Sequence, residues 1–250
     1  MGSIAGKWKA RVLEAAGAVV DLVFPRHCVG CGGAVEDDVY AFMCAPCRAD
    51  LYFIDGAYCR ACGYPYLGMT AADRVCPNCR ELRPVFERGR ALLLHRGLGG
   101  RLVVELKYYK GLFLRNDLVR LIGRFGDLEV YIGDAVLVPV PLHPRKERER
   151  GFNQSRFLAG LFAAVADGAM VEDALVRTRD TDSQTRLRRE ERAGNVKNAF
   201  AIAPGVTIRS DKTYIVVDDV YTTGATLNAC AVALLKGGVR AVRVLSLAHG

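Results

Sequence analysis

Two carboxylates, Asp218 and Asp219, leave an apolar run together and are followed, after Val220-Tyr221, by a turn of small residues, Thr222-Thr223-Gly224-Ala225-Thr226. The run before them, Thr213 to Val217, has the character of a buried strand, and Ala225 to Lys236 has helical periodicity. Backbone N–H groups at the start of a helix, joined by threonine hydroxyls, make a cradle for a phosphate. Carboxylates beside that cradle accept hydrogen bonds from a sugar diol. The pattern suits a ribose 5-phosphate, with its diol on Asp218 and Asp219 and its phosphate over Thr222, Thr223, Gly224, Ala225 and Thr226. An ordinary Asp-rich turn with a threonine N-cap needs neither both acids nor the glycine at these offsets. No G-x-x-x-x-G-K-S/T stretch is present, which argues against a P-loop ATPase.

Two further loops carry positive charge. The first follows Ala135–Pro139 and includes Arg145, Lys146, Arg148, Arg150, Gly151 and, further on, Arg156. A pyrophosphate needs several cationic donors, and arginine meets its oxygens best. Lys146, Arg150 and Gly151 are the first choices here, with Asn153 and Gln154 placed to steady the loop. The bland alternative is a solvated helix of mixed charge. The second loop, after Ala174–Thr178, runs from Arg179 to Arg192 and is long and polar; with Gln184 and Arg192 it reads as a lid over the same anion. A solvated helix with i,i+4 ion pairs explains it as well.

The cysteines are ordered. Eight of the nine form C-x-x-C pairs, Cys28/Cys31, Cys44/Cys47, Cys59/Cys62 and Cys76/Cys79. Thiolates two residues apart on a knuckle face one metal, and tetrahedral Zn²⁺ takes two such knuckles. Cys31 and Cys62 are each followed by glycine, Cys47 and Cys79 each by arginine, so the segment reads as one ribbon duplicated at a period of about thirty residues. The alternation favours sequential pairing, two structural zinc sites in a row; a cross-braced pairing fits the near-equal spacings too. His27 adjoins Cys28 and is read as a bystander, and Cys230, in an apolar helical stretch, as a small core residue.

The elements that must hold these groups alternate. Ala91–His95, Ala135–Pro139, Ala174–Thr178, Ala199–Ala203, Thr213–Val217 and Ala241–Leu247 read as strands. Leu98–Tyr109, Leu112–Phe125, Ser155–Ala166 and Ala225–Lys236 read as helices. This order implies an α/β fold with a doubly wound, mostly parallel sheet, whose ligands bind beyond the carboxyl ends of the strands. Three regions result: residues 1–26 as an N-terminal helix, amphipathic from Ala5 to Phe24; 27–82 as a double zinc ribbon; and 90–250 as the sheet domain. The chain has 250 residues, is 51% hydrophobic and carries a formal net charge of +8, a surplus that favours phosphate-bearing partners. The apolar stretch Ala15–Phe24 is broken by Asp21 and too short to span a bilayer, and Pro25-Arg26-His27 is a poor signal-peptidase site, so a cytoplasmic protein without membrane insertion is expected.

The acids and turn at 218–226 resemble the phosphoribosyl-pyrophosphate (PRPP) motif of type I phosphoribosyltransferases. More broadly, the chain resembles the ComF family of competence-associated proteins, of the ComFC type. The matching residues are Val138-Pro139-Val140-Pro141-Leu142-His143, Arg150-Gly151-Phe152-Asn153-Gln154, Gln184-Thr185 with Arg192 and Asn195, and Val217-Asp218-Asp219 with Thr222-Thr223-Gly224-Ala225-Thr226. The resemblance implies a phosphoribosyltransferase-like domain behind a zinc ribbon and a cytoplasmic role in DNA uptake during natural transformation. It implies handling of single-stranded DNA beside a competence helicase or translocase. PRPP would be bound with Mg²⁺ bridging its pyrophosphate. The alternative is an active phosphoribosyltransferase of nucleotide salvage or biosynthesis, performing pentosyl transfer. No acceptor site is recognisable for it, and His95 and His143 are the candidate bases. A PRPP-sensing regulator is a third option that no helix-turn-helix pattern supports.

Overall fold

The computed structural model describes residues 25–36, 39–66, 74–178 and 198–250. The expected N-terminal helix and the loop bearing Gln184 and Arg192 lie outside the described residues. Five strands, β1 (Arg88–Leu94), β2 (Val136–Pro139), β3 (Met170–Val171), β6 (Thr213–Tyr221) and β7 (Ala241–His249), form one parallel sheet in the order β1-β7-β6-β2-β3. Its central strands are near-continuous apolar runs because both faces are covered: Val136–Val138 and Tyr214–Val217 are fully buried.

Each face has its own core. On one, α3 (Gly97–Tyr108), α4 (Arg115–Ile122), α5 (Gly126–Ile132) and α7 (Gln154–Ala163) bury Leu102, Leu106, Leu118, Leu128, Leu158 and Phe162 against Leu137, Ile215, Val217 and Leu245. On the other, α8 (Ala225–Lys236) lays Leu227, Cys230, Ala231 and Leu234 against Val136, Val138, Tyr214, Val216 and Val244. The leucines of α3 recur at helical spacing, so one stripe of the helix is apolar and the other meets solvent. The α/β class and the sheet's parallel character are thus as the alternation implied. The ribbon supplies α1 (Ala45–Arg48) and α2 (Pro77–Leu82), each opened by a cysteine N-cap and a proline in its first turn.

Two expectations need correction. The strands expected at 174–178 and 199–203 do not join the parallel sheet: β4 (Leu175–Arg177) and β5 (Phe200–Ile202) pair antiparallel with one another. They are three residues long, and their apolar side chains Leu175 and Phe200 are satisfied in the α8 core instead. The helix expected at 112–125 is shorter: its first residues lie in a 3₁₀ turn, Gly111–Leu114, and α4 ends at Ile122, capped by Gly123. The basic stretch after β2 forms a short helix, α6 (Pro144–Arg150), as the alternative reading of it had. Among the described residues, no helix is long and apolar enough to cross a membrane.

Candidate functional site

The strand β6 runs on past its apolar part and carries both acids inside the sheet, with Asp218 opposite Ser246 and Tyr221 opposite His249. Successive strand residues face opposite sides, and the two carboxylates accordingly meet different partners. Asp218 Oδ1 accepts from Ser155 Oγ and from the backbone N of Asp219, each at 2.9 Å. Asp219, only 3% exposed, has Oδ1 3.2 Å from the Lys107 ammonium. Its Oδ2 is buried and has no hydrogen-bond partner among the described residues, an acceptor set for a hydroxyl donor. Burial pushes the Asp218 carboxyl up to about 7; the Asp219 charge adds to this, and Lys107 and Ser155 oppose it.

The turn follows directly. Gly224 takes φ 80°, a left-handed conformation that suits glycine, and is the N-cap of α8. Thr223 Oγ1 accepts from Ala225 N at 3.4 Å. A cavity of about 360 Å³ is lined by His95, Lys107, Asp218, Asp219 and the whole turn from Thr222 to Thr226, so every residue assigned to the ribose phosphate opens on one space.

A second cavity of about 510 Å³ shares Lys107, Asp218, Asp219 and Thr226 with the first and adds Tyr108, Lys110, Lys146, Arg150 and Arg177. Lys146 and Arg150 thus line a cavity that the two acids also line. Arg150 also donates to Gln154 Oε1, and its guanidinium lies 5.9 Å from the Tyr108 ring centre. Gly151 lines neither cavity; it ends α6 with φ 81°. Asn153 does steady this corner: it donates to Val140 O at 3.0 Å and accepts from Ser155 N at 2.9 Å, capping α7. His143 caps α6, its Nδ1 accepting from Arg145 N at 3.3 Å. His95 does reach the first cavity, its pKa held below the usual value by burial and by Lys107.

Lys107 and Ser155 are partners of the acids that sequence reasoning missed. Lysine near a helix end and serine in a helix's first turn are commonplace, and the acids they serve lie far along the chain. The run Lys107-Tyr108-Tyr109-Lys110 is the one local mark, basic and aromatic residues together where α3 ends.

The cysteines form two groups, Cys28/Cys31/Cys44/Cys47 and Cys59/Cys62/Cys76/Cys79, with the sulfurs of each group all within 4.8 Å of one another. Pairing is sequential, not cross-braced. Four thiolates about 2.3 Å from a tetrahedral zinc lie about 3.8 Å apart, and the Cys31–Cys44 and Cys62–Cys76 sulfurs are separated by 3.8 and 3.7 Å. Backbone N–H groups point at the sulfurs as they do in zinc knuckles: Cys44 N lies 3.4 Å from Cys28 Sγ and Cys76 N 3.3 Å from Cys59 Sγ. Burial works against the Cys28 thiolate, yet the N–H groups of Cys44, Cys31 and Gly30 outweigh it and bring the thiol down to about 6. Both donor sets fit structural zinc, which would supply cross-linking rather than chemistry.

Residues 19–80 match the double zinc ribbon domain family. Competence protein F of Haemophilus influenzae is 26% identical over 230 residues, spanning 84% of this chain and 98% of that one. DNA utilization protein YhgH of Escherichia coli K12 is 30% identical over 201 residues, 77% of this chain and 84% of that one. Competence protein ComFC of Bacillus subtilis is 30% identical over 221 residues, 78% and 79% of the two chains. With its ribbon, its parallel sheet and its acid-and-turn site in the expected order, the chain belongs to the ComF family of competence proteins.

Proposed function

We propose that this chain binds PRPP with Mg²⁺ and handles single-stranded DNA during DNA uptake. One observation carries the ligand reading: both acids, one with an unpartnered buried oxygen, open with the whole Thr222–Thr226 turn on a single cavity that continues into a basic one. The ribose diol lies on Asp218 and Asp219, the 5-phosphate over the turn, and the pyrophosphate toward Lys107, Lys146 and Arg150, with Mg²⁺ shared among its oxygens. The names of the relatives, competence protein and DNA utilization protein, support the role in DNA uptake.

For the strand of DNA, Tyr108, which lines the basic cavity, and its neighbour Tyr109 are 61% and 66% exposed, close in sequence to Lys107, Lys110 and the exposed Phe113. Exposed rings among cations suit a single strand, bases on the rings and phosphates on the lysines. A cytoplasmic setting suits eight reduced thiolates, and a competence helicase or translocase is the partner that would deliver the strand. Titration with PRPP and Mg²⁺ tests the reading: the wild type binds, and the Asp218→Ala, Asp219→Ala double variant loses binding. Equal affinity in the two proteins overturns it. Pentosyl transfer is the second reading, favoured by the room for an acceptor in the second cavity, and turnover of PRPP with any base in a panel would decide for it.

A further inference from the structure

The second cysteine cluster touches the phosphate turn. Cys76 caps α2 and Cys79 lies buried within it. Between them, Asn78 reaches outward, its Nδ2 donating to the carbonyl oxygen of Thr223 at 3.3 Å. At the end of the same helix Leu82 closes on Gly224, where an added Cβ would stand 2.9 Å from Leu82 Cδ2 and overlap the Tyr221 hydroxyl. Just past α2, Val85 N donates to Asn228 Oδ1 at 2.8 Å, tying the chain to the first turn of α8.

Tyr221 closes the gap from beneath. It is fully buried, its ring stacks on His249 at 4.6 Å, and its hydroxyl lies 3.9 Å from Cys79 Sγ. Its own backbone leads into Thr222. A metal-bound thiolate can only accept, so with zinc in place the phenol is the donor of that pair, and such outer partners fix both the ligand and whatever they are themselves attached to. One side chain thus has its hydroxyl at a zinc ligand and its main chain at the phosphate turn. The first cysteine cluster packs on the opposite face of the sheet, with Cys47 against the α3 core.

We infer that the second four-cysteine site is the floor of the phosphate turn, so that zinc held there and a phosphoribosyl ligand held over Thr222–Thr226 strengthen each other's binding, with Asn78 and Tyr221 as the positioning residues between them. This rests on the ligand reading of the preceding section. A coupling of this kind is reciprocal: the factor by which zinc tightens the ligand is the factor by which the ligand tightens zinc.

The test uses the full chain loaded with zinc. Release of zinc to a chromophoric chelator is followed with and without saturating PRPP and Mg²⁺, and PRPP affinity is measured by calorimetry for the wild type, Asn78→Ala and Tyr221→Phe. PRPP is expected to slow release of one of the two zinc ions by about 5-fold or more and to leave the other unchanged, the low end of ordinary coupling between sites. Asn78→Ala and Tyr221→Phe, each retaining both zinc ions, are expected to bind PRPP at least about 5-fold more weakly and to lose the protection. PRPP binding that leaves both release rates unaltered, or zinc-replete variants that bind it as the wild type does, overturns the coupling alone. No PRPP binding by the wild type overturns the proposed function and the coupling with it.

Discussion

The two halves of the ribbon repeat the same ligand spacing but do not share an environment. Cys28 is buried while Cys31 is exposed and Cys44 and Cys47 lie between; Cys59, Cys62, Cys76 and Cys79 are all buried. The first half docks beside α4 through Asp117, whose carboxylate oxygens accept from Ala41 N at 2.9 Å and Phe42 N at 2.8 Å, and through an edge contact of Phe42 with Phe113. The second half enters the α8 core and lies under the Thr222–Thr226 turn. The difference teaches that duplication copied the metal chemistry, while the position of each half relative to the carboxyl ends of the strands decided its job. One half packs on the flank, and the other lies against the candidate site.

The largest effect should come from the ligands themselves. Cys76→Ser, at a buried site, is expected to cost about 4 kcal/mol or more, and Cys31→Ser, at a partly exposed one, about 1–2 kcal/mol. Urea unfolding of both variants measures this, and equal costs would erase the distinction between the halves. The matching glycines sharpen the comparison next. Gly32 and Gly63 have φ of 74° and 79°, but a Cβ at Gly32 meets nothing within 4 Å while one at Gly63 meets Ala91 N at 2.8 Å. Gly32→Ala should therefore cost only the left-handed penalty, about 1–2 kcal/mol, and Gly63→Ala about 1–3 kcal/mol more. Thermal unfolding reads the difference.

Asp117→Ala should free the first half at a cost of about 2 kcal/mol, since two half-buried N–H groups lose their acceptor. Hydrogen exchange should rise at Ala41 and Phe42 while PRPP affinity stays as in the wild type. A loss of affinity in this variant would show that the first half also supports the site.

The smallest effect is on pH. Asp218 titrates near 7 in the folded chain, above its usual 3.8. The folded state therefore holds this proton more tightly than the unfolded one, so this group's contribution to stability falls as pH rises from about 4 to about 7. Its carboxylate is the form that accepts from a diol, and ribose phosphate affinity should rise between pH 6 and 8. The rise should be smaller in Asp218→Asn, which leaves only the part due to the ligand's own phosphate ionisation near about pH 6, as isothermal titration across that range will show.

Much of this site is legible in the sequence because its chemistry is local. Asp218, Asp219 and the turn to Thr226 are consecutive, and strand, acids and helix start read as a unit. The cysteine pairs declare their metal by spacing, although the choice between sequential and cross-braced pairing requires the fold. What stays hidden depends on distant partners. Lys107 reaches Asp219 across more than a hundred residues of chain, Asn78 meets Thr223, and Tyr221, past the end of the strand expected at 213–217, carries no mark until the fold sets its hydroxyl beside Cys79. The segments at 175–177 and 200–202 are recognisable as extended, but nothing in three residues tells whether they join a parallel sheet or pair with one another.

The proposed grip of the acids on a sugar is tested most directly by titrating the wild-type chain with ribose 5-phosphate and with 2-deoxyribose 5-phosphate. Loss of a hydroxyl that donates to a buried carboxylate should weaken binding about 10-fold or more, some 1.5 kcal/mol, and the difference should vanish in the Asp218→Ala, Asp219→Ala double variant. Equal affinity of the wild type for the two sugars would contradict the account.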